Sequence, residues 1–263
     1  MNQFRLYRFA HPSADSPRFG LLRDEALYPF ADEQLFNFPE VPELHEKPLA
    51  VSEAKLLAPL VPSKIVCIGR NYKDHAAELG NAMPDEPLLF LKPPSSVIGP
   101  EADIALPHAS ERVEYEGELG VVIGRRARLL DDSANPLDYV LGYTCVNDVT
   151  ARDLQRRDVQ FTRAKSFDTF CPIGPCIVTG LDPFDLQVET RVNNLVRQKA
   201  RTSMMAFPVA YLIRYISHVM TLEPGDVIST GTPAGVGPLA SGDVVEVEVE
   251  GVGTLRNFVS ARA

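Results

Sequence analysis

Glu116-Gly117-Glu118 places two carboxylates one residue apart, directly before the apolar run Leu119-Gly120-Val121-Val122-Ile123. On an extended strand side chains alternate, so both glutamates point to one face with their Cα atoms about 6.7 Å apart. Carboxylates held that way repel unless a proton or a cation lies between them. A solvated strand edge is the ordinary alternative, and residues 247–250 show that pattern. Asp148 follows the apolar segment 141–146 and precedes Thr150-Ala151-Arg152-Asp153, where a short helix is expected to open. An acid at the end of a buried strand is costly unless it is paired or bound to metal; it can also cap the helix. Glu116, Glu118 and Asp148 together form an all-oxygen donor set suited to Mg2+, Mn2+ or Ca2+, leaving coordination places for water or a chelating acid.

A second constellation lies in Gly69-Arg70-Asn71-Tyr72-Lys73-Asp74-His75-Ala76-Ala77-Glu78. If residues 74–79 are helical, His75 and Glu78 stand three apart and share a face. A carboxylate beside an imidazole fixes the ring and raises its basicity, which suits it to activating a water. A plain surface pair has the same spacing. Arg70 and Lys73 either recognise an acidic substrate or are simply solvated. Lys92 ends the apolar run 88–91 and is expected to bring its ammonium out of a buried strand, while Lys165 lies in Arg163-Ala164-Lys165-Ser166-Phe167. In Gly231-Thr232-Pro233-Ala234-Gly235-Val236-Gly237 the glycines permit close backbone approach and Thr232 can donate to a carboxylate. A tight turn explains those glycines equally well, and the lysine of a phosphate-binding loop is absent.

The elements that must position these residues read as strands with few helices. Residues 4–10, 18–22 and 25–30 are strand-like and are followed by a proline-punctuated connector that ends near Pro62. Further strands are expected at 65–68, 88–92, 119–123, 140–146 and 175–178, with hairpins at 187–198 across Asn193-Asn194 and at 244–259. A long helix opens at Pro208, where Val209, Leu212, Ile213, Ile216, Val219 and Met220 recur at helical spacing. Short helices are expected at 72–79 and 151–157. Strands outnumber helices without strict βαβ alternation, so the fold class is α+β and β-rich, with a small N-terminal β domain over residues 1–58 and a catalytic domain over 59–263.

The 263 residues include 26 Lys and Arg against 35 Asp and Glu, a formal charge of −9. A surface of that sign repels phosphate backbones, so nucleic acid is not an expected partner. No apolar run is long enough to span a bilayer and the N-terminus lacks a signal-peptide pattern, so neither a membrane nor secretion is expected. Cys67, Cys145, Cys171 and Cys176 form no CxxC pair, and a reducing cytoplasm is the expected compartment. Cys171 and Cys176 could supply half a metal site, but their apolar neighbours read as the surroundings of buried structural thiols.

In order along the chain, the segments Gly69-Arg70-Asn71-Tyr72 with His75, Phe90-Leu91-Lys92-Pro93, Tyr115-Glu116-Gly117-Glu118-Leu119, Asp148-Val149-Thr150-Ala151-Arg152-Asp153, Ala164-Lys165-Ser166-Phe167 and Thr230-Gly231-Thr232-Pro233 resemble the fumarylacetoacetate hydrolase family, over about residues 62–260. Residues 1–58 look like the smaller N-terminal domain of its bacterial 2-hydroxyhepta-2,4-diene-1,7-dioate isomerases. The resemblance implies a mixed β-sandwich roll, a homodimer, and one Mg2+ or Mn2+ per site held by Glu116, Glu118 and Asp148. It makes Lys165 the active-site lysine and Gln155 and Thr232 substrate contacts. His75 and Glu78 become the dyad of its acylpyruvate-cleaving and oxaloacetate-decarboxylating members.

Arg70, Lys92 and Thr232 are then expected to hold the far carboxylate of a 2-oxo or enol acid. The cation serves as a Lewis acid for enolate charge, and isomerisation in aromatic-acid catabolism is the expected reaction, with acylpyruvate hydrolysis or oxaloacetate decarboxylation as alternatives. Glu114 shares the phase of the two glutamates but falls outside the aligned ligand positions. Gly117 replaces a larger residue of many relatives, which is expected to loosen the strand. Two rivals are a non-catalytic binding protein of the same fold and a cysteine hydrolase using Cys67 with His75.

Overall fold

The computed structural model describes residues 3–11, 16–41, 44 and 47–261. The strands that matter here are β1 (Arg5–Ala10), β2 (Arg18–Arg23), β3 (Ala26–Phe30), β4 (Ile65–Gly69), β5 (Leu88–Lys92), β6 (Gly117–Ile123), β7 (Val140–Asn147), β8 (Cys171–Val178), β9 (Gln187–Val192), β10 (Leu195–Arg201), β11 (Val227–Ser229), β12 (Val244–Val249) and β13 (Gly253–Ser260). The α-helices are α1 (Lys73–Glu78), α2 (Arg152–Arg157), α3 (Thr162–Lys165) and α4 (Val209–Val219).

One long sheet runs β3-β2-β1-β8-β7-β6-β11-β4-β5, and a second runs β10-β9-β12-β13 with Asp103–Ala105 at its edge. The N-terminal strands are not a sheet of their own: Arg5 and Leu6 of β1 pair with Val178 and Ile177 of β8. The division between 58 and 59 therefore falls within one hydrogen-bonded sheet.

Both faces of β6 are buried, which explains its nearly unbroken apolar run. Leu119, Val121 and Ile123 meet Val188 from β9 and Val247 and Val249 from β12, so the two sheets pack face to face. On the opposite face Val122 joins Leu6, Leu21 and Phe30 from one end of the long sheet and Ile65 and Cys67 from near the other. Side chains from distant strands can share one cluster only if the sheet curls round on itself, and this gives the expected sandwich roll. Gly117 sits at the tightest point between the sheets. A Cβ there would lie 2.0 Å from Thr190 Oγ1 and 3.2 Å from Val247 Cγ1, so the glycine lets the sheets close and does not loosen the strand.

The Asn193-Asn194 hairpin forms with both residues at positive φ, 52° and 64°, the conformation a two-residue turn requires to follow strand twist. Helix α4 buries Val209, Leu212, Ile213 and Ile216. Val219, expected on that face, is exposed because the helix ends there and Met220 turns to extended backbone. All four cysteines are free and buried. Cys171 and Cys176 lie five apart on β8 and enter opposite cores, so they share no site. Among the described residues no helix is long and apolar enough to cross a membrane.

Candidate metal centre and active site

The acidic centre forms where β6 begins beside the end of β7. Gly117 pairs with Asn147, which sets Glu116 opposite Asp148, and the Asp148 N–H donates to the Glu116 carbonyl at 2.8 Å. Asn147 Oδ1 accepts the Glu116 N–H at 3.0 Å. The strand therefore delivers Glu116 and Glu118 to one side and its neighbour delivers Asp148 to the same place. One oxygen from each of Glu116, Glu118 and Asp148 lies within 4.8 Å of the others, and all three residues are buried. Asp148 does not cap α2: Thr150–Ala151 intervenes as a short strand and Ala151 holds the cap position.

Cationic side chains reach two of the three acids. Lys165 Nζ donates to Glu116 Oε2 at 2.8 Å and to Asp148 Oδ2 at 2.6 Å. Lys92 Nζ donates to Asp148 Oδ1 at 2.6 Å and to the Val149 carbonyl at 3.0 Å. Arg152, 2% exposed, donates to Glu116, to Gln155 Oε1, and to Glu114 Oε2 at 2.6 Å. Burial alone would raise the Glu116 carboxyl, but Lys165 and Arg152 hold it well below the usual carboxylate range. Glu118 has no such partner; it accepts from Ser229 Oγ and from the Gly231 N–H at 2.7 Å. Burial, followed by the nearby Asp148 charge, pushes its carboxyl up to about 8.

A buried carboxylate cluster with one member short of positive charge is a chemical fit for a hard divalent cation. Glu116, Glu118 and Asp148 would hold it. Its binding must displace the Glu118 proton. Mn2+ affinity of the metal-free protein should therefore rise as pH increases toward 8 and flatten above it, with close to one proton released per ion below that pH. Titration calorimetry in buffers of different ionisation enthalpy measures both; a pH-independent affinity between 6 and 8 would contradict the assignment.

A cavity of about 230 Å3 opens beside the centre, lined by Arg70, His75, Glu116, Glu118, Arg152, Gln155, Lys165 and Thr232 among others. His75, on α1, is 4% exposed, and its Nδ1 stands 3.5 Å from Glu78 Oε2 without a hydrogen-bonding partner. Burial lowers its basicity, opposed in part by Glu116 and Glu78. The Glu78 carboxylate is held by the Gly235 N–H at 3.1 Å to each oxygen, tying α1 to the glycine-rich loop.

Two expected substrate contacts are placed differently. Lys92 does not emerge from its strand; its ammonium is fully buried against Asp148 and it does not line the cavity. Thr232 lines the cavity, but its hydroxyl donates to the Gly117 carbonyl at 2.9 Å and accepts from Gln198 at 2.8 Å, so its one proton is committed. Gln155 lines the cavity with its oxygen engaged by Arg152, which fixes the orientation of its amide. Arg152, Gln198 and Ser229 received no role from the sequence, although Arg152 lies within a quoted motif. Glu114, set aside as a ligand, anchors Arg152 instead. Cys67 is fully buried and its thiol is pushed well up by burial, so no nucleophile is available there.

The sequence profile of the fumarylacetoacetate (FAA) hydrolase C-terminal family matches residues 64–260. The chain belongs to the fumarylacetoacetate hydrolase family. A protein of Archaeoglobus fulgidus is 57% identical over 213 residues, covering 81% of this chain and 84% of its own. The oxaloacetate tautomerase YisK of Bacillus subtilis is 46% identical over 226 residues, covering 80% of this chain and 74% of the relative. The crystal structure of a 2-hydroxyhepta-2,4-diene-1,7-dioate isomerase from Mycobacterium marinum superimposes with a TM-score of 0.89 at 43% identity, covering 99% of both chains.

Proposed function

We propose that this fumarylacetoacetate hydrolase family member is a divalent-metal-dependent isomerase that moves a proton between positions of a small 2-oxo or enol dicarboxylic acid. The observation that carries this reading is a buried imidazole on the wall of the cavity that also exposes the carboxylate centre, its Nδ1 turned toward Glu78 Oε2 at 3.5 Å. When bound, Mg2+ or Mn2+ would supply Lewis-acid stabilisation for the negative charge that develops on such an acid.

The chain's own residues supply the rest. Burial keeps His75 neutral at physiological pH and so able to accept a proton, and Glu78 orients the ring. Lys165 is kept cationic by Asp148 and Glu116 despite its burial, and it places a fixed positive charge beside the developing enolate. Arg152 holds Glu116 in place, and Gln155 offers amide N–H groups to the ligand. Ile68, Leu88, Phe90 and Phe161 give the cavity an apolar share of its lining. Its volume lies below the roughly 300–1,000 Å3 of sites for drug-sized ligands, in keeping with a small acid.

The charges around the cavity favour an anionic ligand. The carboxylates of Glu114, Glu116, Glu118 and Asp148 face the cations of Arg112, Arg152, Lys92 and Lys165, so ionised side chains balance. A divalent ion, with Arg70 and Arg156 also on the cavity wall, then makes the site net positive and suited to an anionic acid. The named relatives are an oxaloacetate tautomerase and a 2-hydroxyhepta-2,4-diene-1,7-dioate isomerase, which supports an isomerising reaction.

The second reading, acylpyruvate hydrolysis, rests on the same His75–Glu78 pairing, which can also activate a water. A panel of oxaloacetate, an acylpyruvate and a conjugated hydroxy-dienoic diacid, each with Mg2+ or Mn2+, separates the two. Keto–enol or double-bond interconversion without release of a carboxylic acid or CO2 is the expected result. Faster cleavage of the acylpyruvate than isomerisation of either diacid would replace this reading with hydrolysis.

A further inference from the structure

Most cations at the cavity and its carboxylate centre are already engaged. Lys165 is bound to Glu116 and Asp148, Lys92 to Asp148, and Arg152 to Glu114, Glu116 and Gln155. Arg70 and Arg156 also line the cavity, and among the described residues neither side chain has a hydrogen bond or ion pair. We propose that Arg156, acting with Arg70, binds the distal carboxylate of the substrate and selects dicarboxylic over monocarboxylic 2-oxo acids. This rests on the proposed 2-oxo acid chemistry and names the part of the molecule that reads the far end of the acid.

The placement follows from α2. Arg152, Gln155 and Arg156 stand at i, i+3 and i+4, so they share one face of the helix. All three line the cavity, and their exposure increases along the helix: Arg152 is buried, Gln155 half-buried and Arg156 exposed. The deep end is pinned to the centre through Glu114 and Glu116, which fixes the helix on which the outer guanidinium is carried. Arg157, one residue on, does not line the cavity and pairs with Asp158 at 3.9 Å. Arg70 approaches from the end of β4 and holds a φ of 56°, a conformation uncommon for a side-chain-bearing residue and typical of positions fixed for function. A planar guanidinium offers paired N–H groups that match a carboxylate, and unpaired ones at a cavity mouth are set to take it. Of the other expected holders of that carboxylate, Lys92 is fully buried and lies outside the cavity lining, and Thr232 has its one proton committed to the Gly117 carbonyl.

The test uses oxaloacetate and 2-oxobutanoate, which differ in a terminal carboxylate against a methyl group. Proton–deuterium exchange at C3 is followed by NMR with Mn2+-free Mg2+ enzyme, and affinity for 2-oxoglutarate against 2-oxopentanoate is measured by calorimetry. Arg156→Gln should raise KM for oxaloacetate and Kd for 2-oxoglutarate by roughly tenfold, the scale of one charged hydrogen bond. The values for the two monocarboxylates should stay within about twofold, and R156E should raise the dicarboxylate values further still. Arg157→Gln is the control for general surface charge and should leave all four values unchanged. Wild-type protein that binds and exchanges none of the acids overturns the proposed reaction itself. Wild-type protein that handles them while R156Q moves both classes alike, or moves neither, overturns the carboxylate clamp alone.

Discussion

Asp148→Asn and Glu118→Gln should both abolish Mn2+ binding yet act in opposite directions on the metal-free protein. Asp148 is the shared carboxylate partner of two buried ammonium groups, Lys92 at 2.6 Å and Lys165 at 2.6 Å. Neutralising it leaves Lys92 without an anionic partner among the described residues. Breaking a buried pair by removing one charge costs about 3–5 kcal/mol, and for a chain of this length each kcal/mol moves Tm by roughly 2–4 °C. D148N should therefore melt on the order of 10 °C lower.

Glu118 is the contrasting case, because no cation touches it and its neighbour Asp148 repels it. Its carboxyl is raised from an ordinary 4.5 to about 8, so its contribution to stability is complete below the lower value and is lost as pH rises through the higher one. The wild-type metal-free protein should lose stability across that interval, whereas E118Q, with an oxygen still able to accept from Ser229 and Gly231, should not. Thermal melts at several pH values, with and without Mn2+, read both effects. A Mn2+-dependent rise in Tm that survives in either variant would remove that residue from the metal site.

His75→Asn should lower turnover of the preferred diacid by about 10²- to 10⁴-fold, the usual range for losing a positioned general base, and leave the Mn2+-induced rise in Tm in place. The imidazole touches the cavity and not the carboxylate oxygens that would bind the ion, so chemistry and metal affinity should separate. Burial holds His75 below its ordinary 6.5. The protonated ring cannot accept a proton, so the rate should fall on the acid side of that value and be level above it. H75N should lose this acid limb along with the rate. Glu78→Gln should cost less, since Glu78 is one-third exposed and stands 3.5 Å from the ring. An H75N enzyme with full activity, or one whose Mn2+ response disappears, would show that the residue has another task.

The sequence made the acidic centre legible because its signals are short-range. Glu116 and Glu118 share a face by strand periodicity alone, and Asp148 announced itself as an acid at the end of an apolar run. His75 and Glu78 needed only one helical turn, which α1 provides. The strands were equally readable from apolar and β-branched runs, although strand ends moved by a few residues. Gly117 could not be read that way. Its reason for being glycine is Thr190, 73 positions away and on the other sheet.

The same limit governed the lysines. Lys92 at the end of an apolar strand looked like a cation reaching for substrate, but β4–β5 pairing carries it behind Asp148, where its charge is used up. Thr232 was a free hydroxyl in the sequence and is a saturated one in the fold, closed by Gly117 and Gln198. Which groups could do chemistry was thus written in residue type and local spacing, because carboxylate repulsion, imidazole basicity and strand alternation act over a few bonds. Which of them remain available to a ligand was decided by the curled sheet. Hydrogen bonds and ion pairs are consumed by whichever partner the fold brings within about 3 Å, and those partners came from strands that the linear order keeps far apart.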